Sequence, residues 1–290
     1  LPEALADPDV DGVILATPNS AHADQAIAAL TAGKHVVTDK VMCLTLADCD
    51  RMIEAARAND CLLTVFQNRR LDGDFLTIKA LMARGALGDV RWFEAAWQGF
   101  GLWGRWRGEA RMGGGKIYDL GPHLVDQILQ LFPEAVQSVY CRTHYDLPGA
   151  DVESEGLLVI TFEGGRTAVV DVSSLALVQK PRFYIRGTEA TFVKHGLDPQ
   201  EKAMMDGDID TAVEAPELYG MLHTTNGKEA IPTLPGRWRT YFDNLRDTLR
   251  GNAAPLVSLT DARMVMAVID AAKHSAREDK VVTLQPDGSR

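Results

Sequence analysis

The sequence feature that most constrains the fold is an alternation near the start of the chain, where short unbroken apolar runs are separated by stretches of helical periodicity. Residues 12–17, GVILAT, form the first run, bounded by Asp-Gly and by Pro18; such a run marks a strand covered on both faces, as in a parallel sheet. Asn19-Ser20 then read as a cap, an alanine-rich helical stretch runs to Ala32, Gly33 stops it, and a second apolar strand occupies His35–Thr38. Thr45 caps a further helix whose Leu46, Cys49, Ile53 and Ala56 share a face, and LLTVF (62–66) supplies a third strand. This is βαβαβ, half of a doubly wound sheet.

From about Gly88 the texture changes to long segments of β character: VRWFEAAW (90–97), VQSVYCRTHY (136–145), GLLVITFE (156–163) and RTAVVDVSSLAL (166–177), with Gly164-Gly165 as a turn. Short strands around FYIRG and ATFV complete a mainly antiparallel sheet. Helical patterns are expected near 119–131 and in the two closing stretches, RWRTYFDNLRDTLRG and TDARMVMAVIDAAKHSARE. Residues 198–236, rich in Gly, Pro, Asp and Glu with little periodicity, read as a loop. The expected division is a first domain over 1–68 and an α+β domain over 69–290, with the helix at 260–279 packing back on the first.

Composition sets the partners. A formal charge of -10 on 290 residues argues against nucleic acid and anionic membrane surfaces. No apolar run approaches the roughly 18 residues that span a bilayer. Cys43, Cys49, Cys61 and Cys141 are scattered without a CxxC pair, so neither a zinc site nor a disulfide framework is expected, and a reducing, cytoplasmic setting fits.

Ligands in open α/β sheets bind at the carboxyl ends of the strands. Two such ends carry polar signals: ATPNSAH (16–22), where Asn19 and His22 sit at the start of a helix and the segment is either simply capped by Asn19 or Ser20 or a cofactor contact, and TDKV (38–41), which sets a lysine just past a buried strand. GFGLWG (99–104) matches G-x-G-x-x-G but leads into RWRGEARMGGG rather than a helix, so it reads as a glycine-rich loop, with Trp103, Trp106 and Arg107 available to cover a ligand. GGGKIYDLGPH (113–123) puts Asp119 and His123 four positions apart behind three glycines. The pair is either a general base with an orienting carboxylate or a salt bridge on a helix face.

ATPNSAH, AGKHVVTDK, and GGGKIYDLGPH preceded by RWRGEARM, in this order and spacing, resemble the Gfo/Idh/MocA family of NAD(P)-dependent oxidoreductases, and the closing helices are similar to that family's too. The resemblance covers nearly the whole chain and is nearest to the branch of cyclitol and sugar dehydrogenases. It implies a Rossmann sheet followed by an open, mainly antiparallel sheet covered by helices. The implied reaction is hydride transfer between NAD or NADP and a secondary hydroxyl of a polyol. Lys40, Asp119 and His123 are the implied catalytic residues: His123 as base, Asp119 orienting it, Lys40 stabilising alkoxide. Thr17, Pro18, Asn19, His22, Asp39, Lys40, Gln67 and Asn68 are the implied cofactor contacts. Asn68, Trp106, Arg107, Asp119 and His123 would meet substrate, and a homo-oligomer through the second sheet is implied.

Two departures stand out. Where the family has E-K-P the chain has Asp39-Lys40-Val41, which loses the backbone restriction that proline imposes on Lys40. The glycine fingerprint and the strand end that chooses NAD or NADP are also not in the sequence and are expected upstream of Leu1, so the Rossmann unit reads as N-terminally truncated. An apolar sheet edge exposed there is expected to need covering. The alternative function is a non-catalytic or cofactor-deficient binding or assembly protein of the same fold.

Overall fold

The computed structural model describes residues 1–101, 104–146 and 148–290. A short helix α1 (Pro2–Ala6) leads into a three-stranded parallel sheet in the order β1 (Gly12–Leu15), β2 (His35–Thr38), β3 (Leu63–Val65), linked by α2 (His22–Thr31) and α3 (Leu46–Ala58). Gly33 ends α2 in the left-handed region at φ 74°, where a residue without Cβ pays no steric penalty. The Thr45 hydroxyl accepts from the Asp48 amide and so caps α3. β1 departs from the expectation of two covered faces: it is an edge strand, and Ile14 is 62% exposed.

Among the described residues the rest of the chain builds a nine-stranded sheet. Its strands are β4 (Val90–Gln98), β5 (Val136–His144), β6 (Glu155–Phe162), β7 (Thr167–Ser173), β8 (Phe183–Gly187), β9 (Thr191–Lys194), β10 (Gly220–Thr224), β11 (Gly227–Ile231) and β12 (Val282–Thr283), in the order β11-β10-β9-β8-β4-β7-β6-β5-β12. All neighbours are antiparallel except β4 and β7, which run parallel from Trp92 opposite Thr167 to Gln98 opposite Ser173. One face is covered by α4 (Gly73–Ala83), α5 (Lys116–Asp119), α6 (Gly121–Leu129) and α9 (Leu259–Glu278); α8 (Arg239–Leu249) packs on the core of the first sheet through Tyr241, and α7 (Gln200–Met205) follows β9.

Two expectations are corrected. Residues 198–236 are not loop alone, since they contain α7 and the β10–β11 hairpin that extends the large sheet at its edge. The hairpin is solvent-exposed along β11, so apolar periodicity does not mark it; its local signal was Asn226-Gly227 at the turn. The helix near 119–131 is broken: α5 ends at Asp119 and α6 begins at Gly121, so Asp119 and His123 do not share one continuous helix face.

The first core is not made by residues 1–68 alone. Trp238, Tyr241, Val257, Ala262 and Met266 pack into it beside Leu15, Val36 and Val65, and α9 then continues against α6 and β5. Arg70 fastens the same junction: it makes two bonds to Asp126 on α6 (2.8 and 2.6 Å), one to the Leu256 carbonyl (2.7 Å) and one to Asp261 on α9 (3.0 Å). Among the described residues no helix is long and apolar enough to cross a membrane.

Candidate active site

The carboxyl end of β2 delivers Asp39 and Lys40 to the junction of the two sheets. The Asp39 carboxylate accepts from the Lys40 amide at 2.8 Å, and the Lys40–Val41 peptide bond is cis. His22, fully buried, faces two carbonyl oxygens, Val41 through Nδ1 at 2.9 Å and Thr17 through Nε2 at 3.0 Å, and so ties the loop after β1 to the loop that carries Lys40. Thr17 donates its hydroxyl to Gln25, and the Asn19 amide donates to the Gly113 carbonyl at 2.8 Å. Asn19 is therefore not a side-chain cap; its amide reaches across to the glycine run instead.

That run shows why glycines precede the site. A Cβ on Gly114 would lie 2.3 Å from the Arg107 carbonyl, and Gly115, at φ 105°, lies so close to Glu153 that a Cβ would meet both carboxylate oxygens at 2.6 Å. Glu153 accepts the Ile117 amide at 2.9 Å, which anchors the first turn of α5. Asp119 is thereby fixed at the helix end facing Lys40. Lys40 Nζ donates to Asp119 Oδ1 at 2.5 Å, with only 12% of either side chain exposed. Lys116 points toward a separate cavity of about 180 Å³ that shares Arg107; burial lowers its pKa to about 8 against the opposing pull of Asp119.

His123 enters from the first turn of α6. The resemblance implied that Asp119 orients it, but no bond joins them: Asp119 is engaged by Lys40 and, at 3.5 Å, by Arg107. Among the described residues Nδ1 of His123 is buried without a hydrogen-bond partner, which leaves Nε2 as the ring nitrogen that meets the cleft. Burial, with the nearby cations Lys40, Arg69 and Arg182, holds the imidazole pKa well below 6.5. At neutral pH the ring is uncharged and able to accept a proton.

Together these groups line a cleft of about 630 Å³. Of the residues expected from sequence, Asp39, Lys40, Asn68, Arg107, Asp119 and His123 line it; Thr17, Pro18, Asn19, His22, Gln67 and Trp106 stand outside its wall. Gln67 is buried beside it, its Oε1 without a partner, and Trp106 is stacked under the Arg107 guanidinium at 4.6 Å. Trp103 lies outside the described residues.

Sequence reasoning missed Arg69, Trp97, Glu201, Met204 and Trp238, which also line the cleft. Arg69 lies 4.8 Å from both the Trp97 and the Trp238 rings and pairs with Glu201. QNRR at the end of β3 was a usable signal for Arg69. Glu201 had none, because α7 sits in a stretch without periodicity.

Residues 1–67 match the model of the oxidoreductase family with NAD-binding Rossmann fold, and residues 75–193 match the Gfo/Idh/MocA C-terminal domain. Scyllo-inositol 2-dehydrogenase (NADP(+)) IolW of Bacillus subtilis (strain 168) is 33% identical over 298 residues, covering 98% of this chain and 82% of the relative. Myo-inositol 2-dehydrogenase of Thermotoga maritima is 25% identical over 299 residues, with 98% and 82% covered. The solved structure of yvaA from Bacillus subtilis matches with a TM-score of 0.90 at 31% identity, covering 98% of this chain and 83% of that one.

Proposed function

Because the chain belongs to the Gfo/Idh/MocA family of oxidoreductases, we propose that it moves a hydride between a secondary hydroxyl of a sugar or cyclitol and NAD or NADP. The observation that carries this reading is the meeting of Lys40, Asp119 and His123, from distant parts of the chain, in one cleft at the carboxyl ends of β2 and β3.

The cofactor end of the cleft fits such a group. Thr38 Oγ1 and Gln67 Oε1, at the ends of β2 and β3, are buried polar atoms with no partner, and Asn68 and Asp39 line the cleft beside them. Asp39, Lys40 and Asn68, which line the cleft, would hold the nicotinamide and its ribose, with Gln67 buried behind them. NAD or NADP, when bound, supplies the hydride acceptor.

The chain's own residues handle the proton and the charge. His123 Nε2 takes the hydroxyl proton as the carbinol C–H bond breaks. The Lys40 ammonium, held by Asp119, stabilises negative charge developing on that oxygen. The lining charges balance, Lys40, Arg69 and Arg107 against Asp39, Asp119 and Glu201, which supports an uncharged, hydroxyl-rich substrate over an acidic one. A non-catalytic role gains nothing from a lysine and a neutral imidazole facing one cleft.

Two further readings belong to this proposal. The chain associates with a second copy through the sheet face bearing Trp92, Tyr184 and Arg186, and it works in the reducing cytoplasm, where its four free thiols persist. Sedimentation of the purified protein tests the first.

The central test is an assay of NAD and NADP reduction with a panel of inositols and aldoses, beside the His123→Asn variant. Turnover of at least one cyclitol or sugar, lost in His123→Asn, is expected. No turnover of any polyol with either cofactor, or an unimpaired variant, would overturn the assignment.

A further inference from the structure

A general base needs a fixed ring, and hydrogen bonding does not fix His123. Its Nδ1 has no partner, and the carboxylate four residues before it is engaged by Lys40. What the ring touches is an indole: the His123 and Trp97 rings stack with centroids 5.8 Å apart and planes inclined by 28°. Trp97 is in turn held. The Arg182 guanidinium, 3% exposed and donating to the Ala96 carbonyl at 3.2 Å, lies 4.5 Å from its ring. Arg69 lies 4.8 Å from it on the cleft side, against Trp238 beyond. The indole also rides on β4, the central strand of the large sheet, in register with Val172 of β7.

We propose that Trp97 is a positioning residue for His123, its clamped indole fixing the imidazole plane in the role that a carboxylate partner plays elsewhere. The proposal rests on the reading of His123 as the proton acceptor. A stack restrains tilt while leaving Nε2 open to the cleft, and it does so without adding a negative charge that would raise the basicity of the ring. Arg69 and Arg182, in holding the indole, also set two cations near the imidazole and disfavour its charged form. An error of about 1 Å in the placement of a reacting group costs on the order of 10²-fold in rate, so the stack is expected to show in kcat.

The test has two arms. In the wild-type protein, the His123 C2–H resonance, identified by its loss in His123→Asn, is expected upfield of the ordinary histidine position because of the indole ring current, and to return toward that position in Trp97→Leu. In kinetics, Trp97→Leu is expected to lower kcat by about 10²-fold with KM changed little, and Trp97→Phe, which keeps an aromatic face, to restore most of it. A wild-type resonance at the ordinary position, or a Trp97→Leu enzyme with unaltered kcat while His123→Asn is inactive, would overturn the role of Trp97 alone. An active His123→Asn would overturn the underlying reading instead. The wild-type resonance is informative even if Trp97→Leu does not fold.

Discussion

Lys40 Nζ lies 2.5 Å from Asp119 Oδ1 and 2.6 Å from the Asp119 main-chain oxygen, so one residue at the end of α5 holds the lysine by two atoms. With both side chains largely buried, removing Lys40 leaves the Asp119 carboxylate only the longer contact to Arg107, at a cost of about 3 kcal/mol for a buried pair. Lys40→Met is therefore expected to lose activity and to lower the melting temperature by several degrees. Asp119→Asn, which keeps the shape and the main-chain bond, is expected to cost less. Calorimetry on the two variants checks this, and equal melting temperatures for Lys40→Met and wild type would contradict it.

The pH dependence of stability follows from the buried ring. Burial and nearby cations hold the folded pKa of His123 well below 6.5, so the unfolded chain binds the proton more readily. Stability from this group is complete above about 6.5 and declines as pH falls below it. Asp74 runs the other way: burial raises it from 3.8 to about 6, so the folded state keeps the proton, and that contribution is lost as pH rises through 6. Comparison with His123→Gln isolates the histidine, because Asp74 is common to both. The melting temperature of wild type minus that of the variant is expected to rise between about pH 5 and pH 8, and a flat difference would count against the neutral, buried ring.

Gly115 is expected to tolerate no side chain. At φ 105°, with both Glu153 oxygens 2.6 Å from where a Cβ would stand, alanine brings backbone strain of about 1–3 kcal/mol and displaces the turn that sets Asp119. Gly99→Ala, with nothing within 4 Å and an ordinary φ, is the control. Activity and thermal melts of the two variants check the contrast: a fall for Gly115→Ala, little change for Gly99→Ala.

Arg70 joins the end of β3 to α6 and α9 through four hydrogen bonds, two of them to the buried Asp126. Arg70→Met is expected to destabilise by about 3–5 kcal/mol. Arg70→Lys restores only part of this, because a lysine cannot make the paired, forked contact. Urea midpoints give the comparison, and Arg70→Lys at wild-type stability would sink it.

Much of this molecule was legible locally. β2 falls where the apolar strand expected at residues 35–38 put it, Thr45 caps α3 as its position suggested, and Gly33 ends α2 in the left-handed region. These features depend on neighbouring residues, and neighbours are what a sequence displays. Residue type and spacing left Lys40, Asp119 and His123 open between a surface and a site role, the family resemblance implied the site, and the fold brings them to one cleft.

The sequence by itself determined the alternation that makes the first sheet, the β-rich second half, and the residue types that the site draws on. Tertiary structure alone decided the partners. Asp119, at the end of α5, pairs with Lys40, and the chain brought Trp97, 26 residues before His123, against its ring. It also set Glu201, from a stretch without periodicity, against Arg69. The physical reason is that a pairing across the fold is fixed by the packing of whole elements on one another, whereas periodicity, caps and turns report only the few residues on either side.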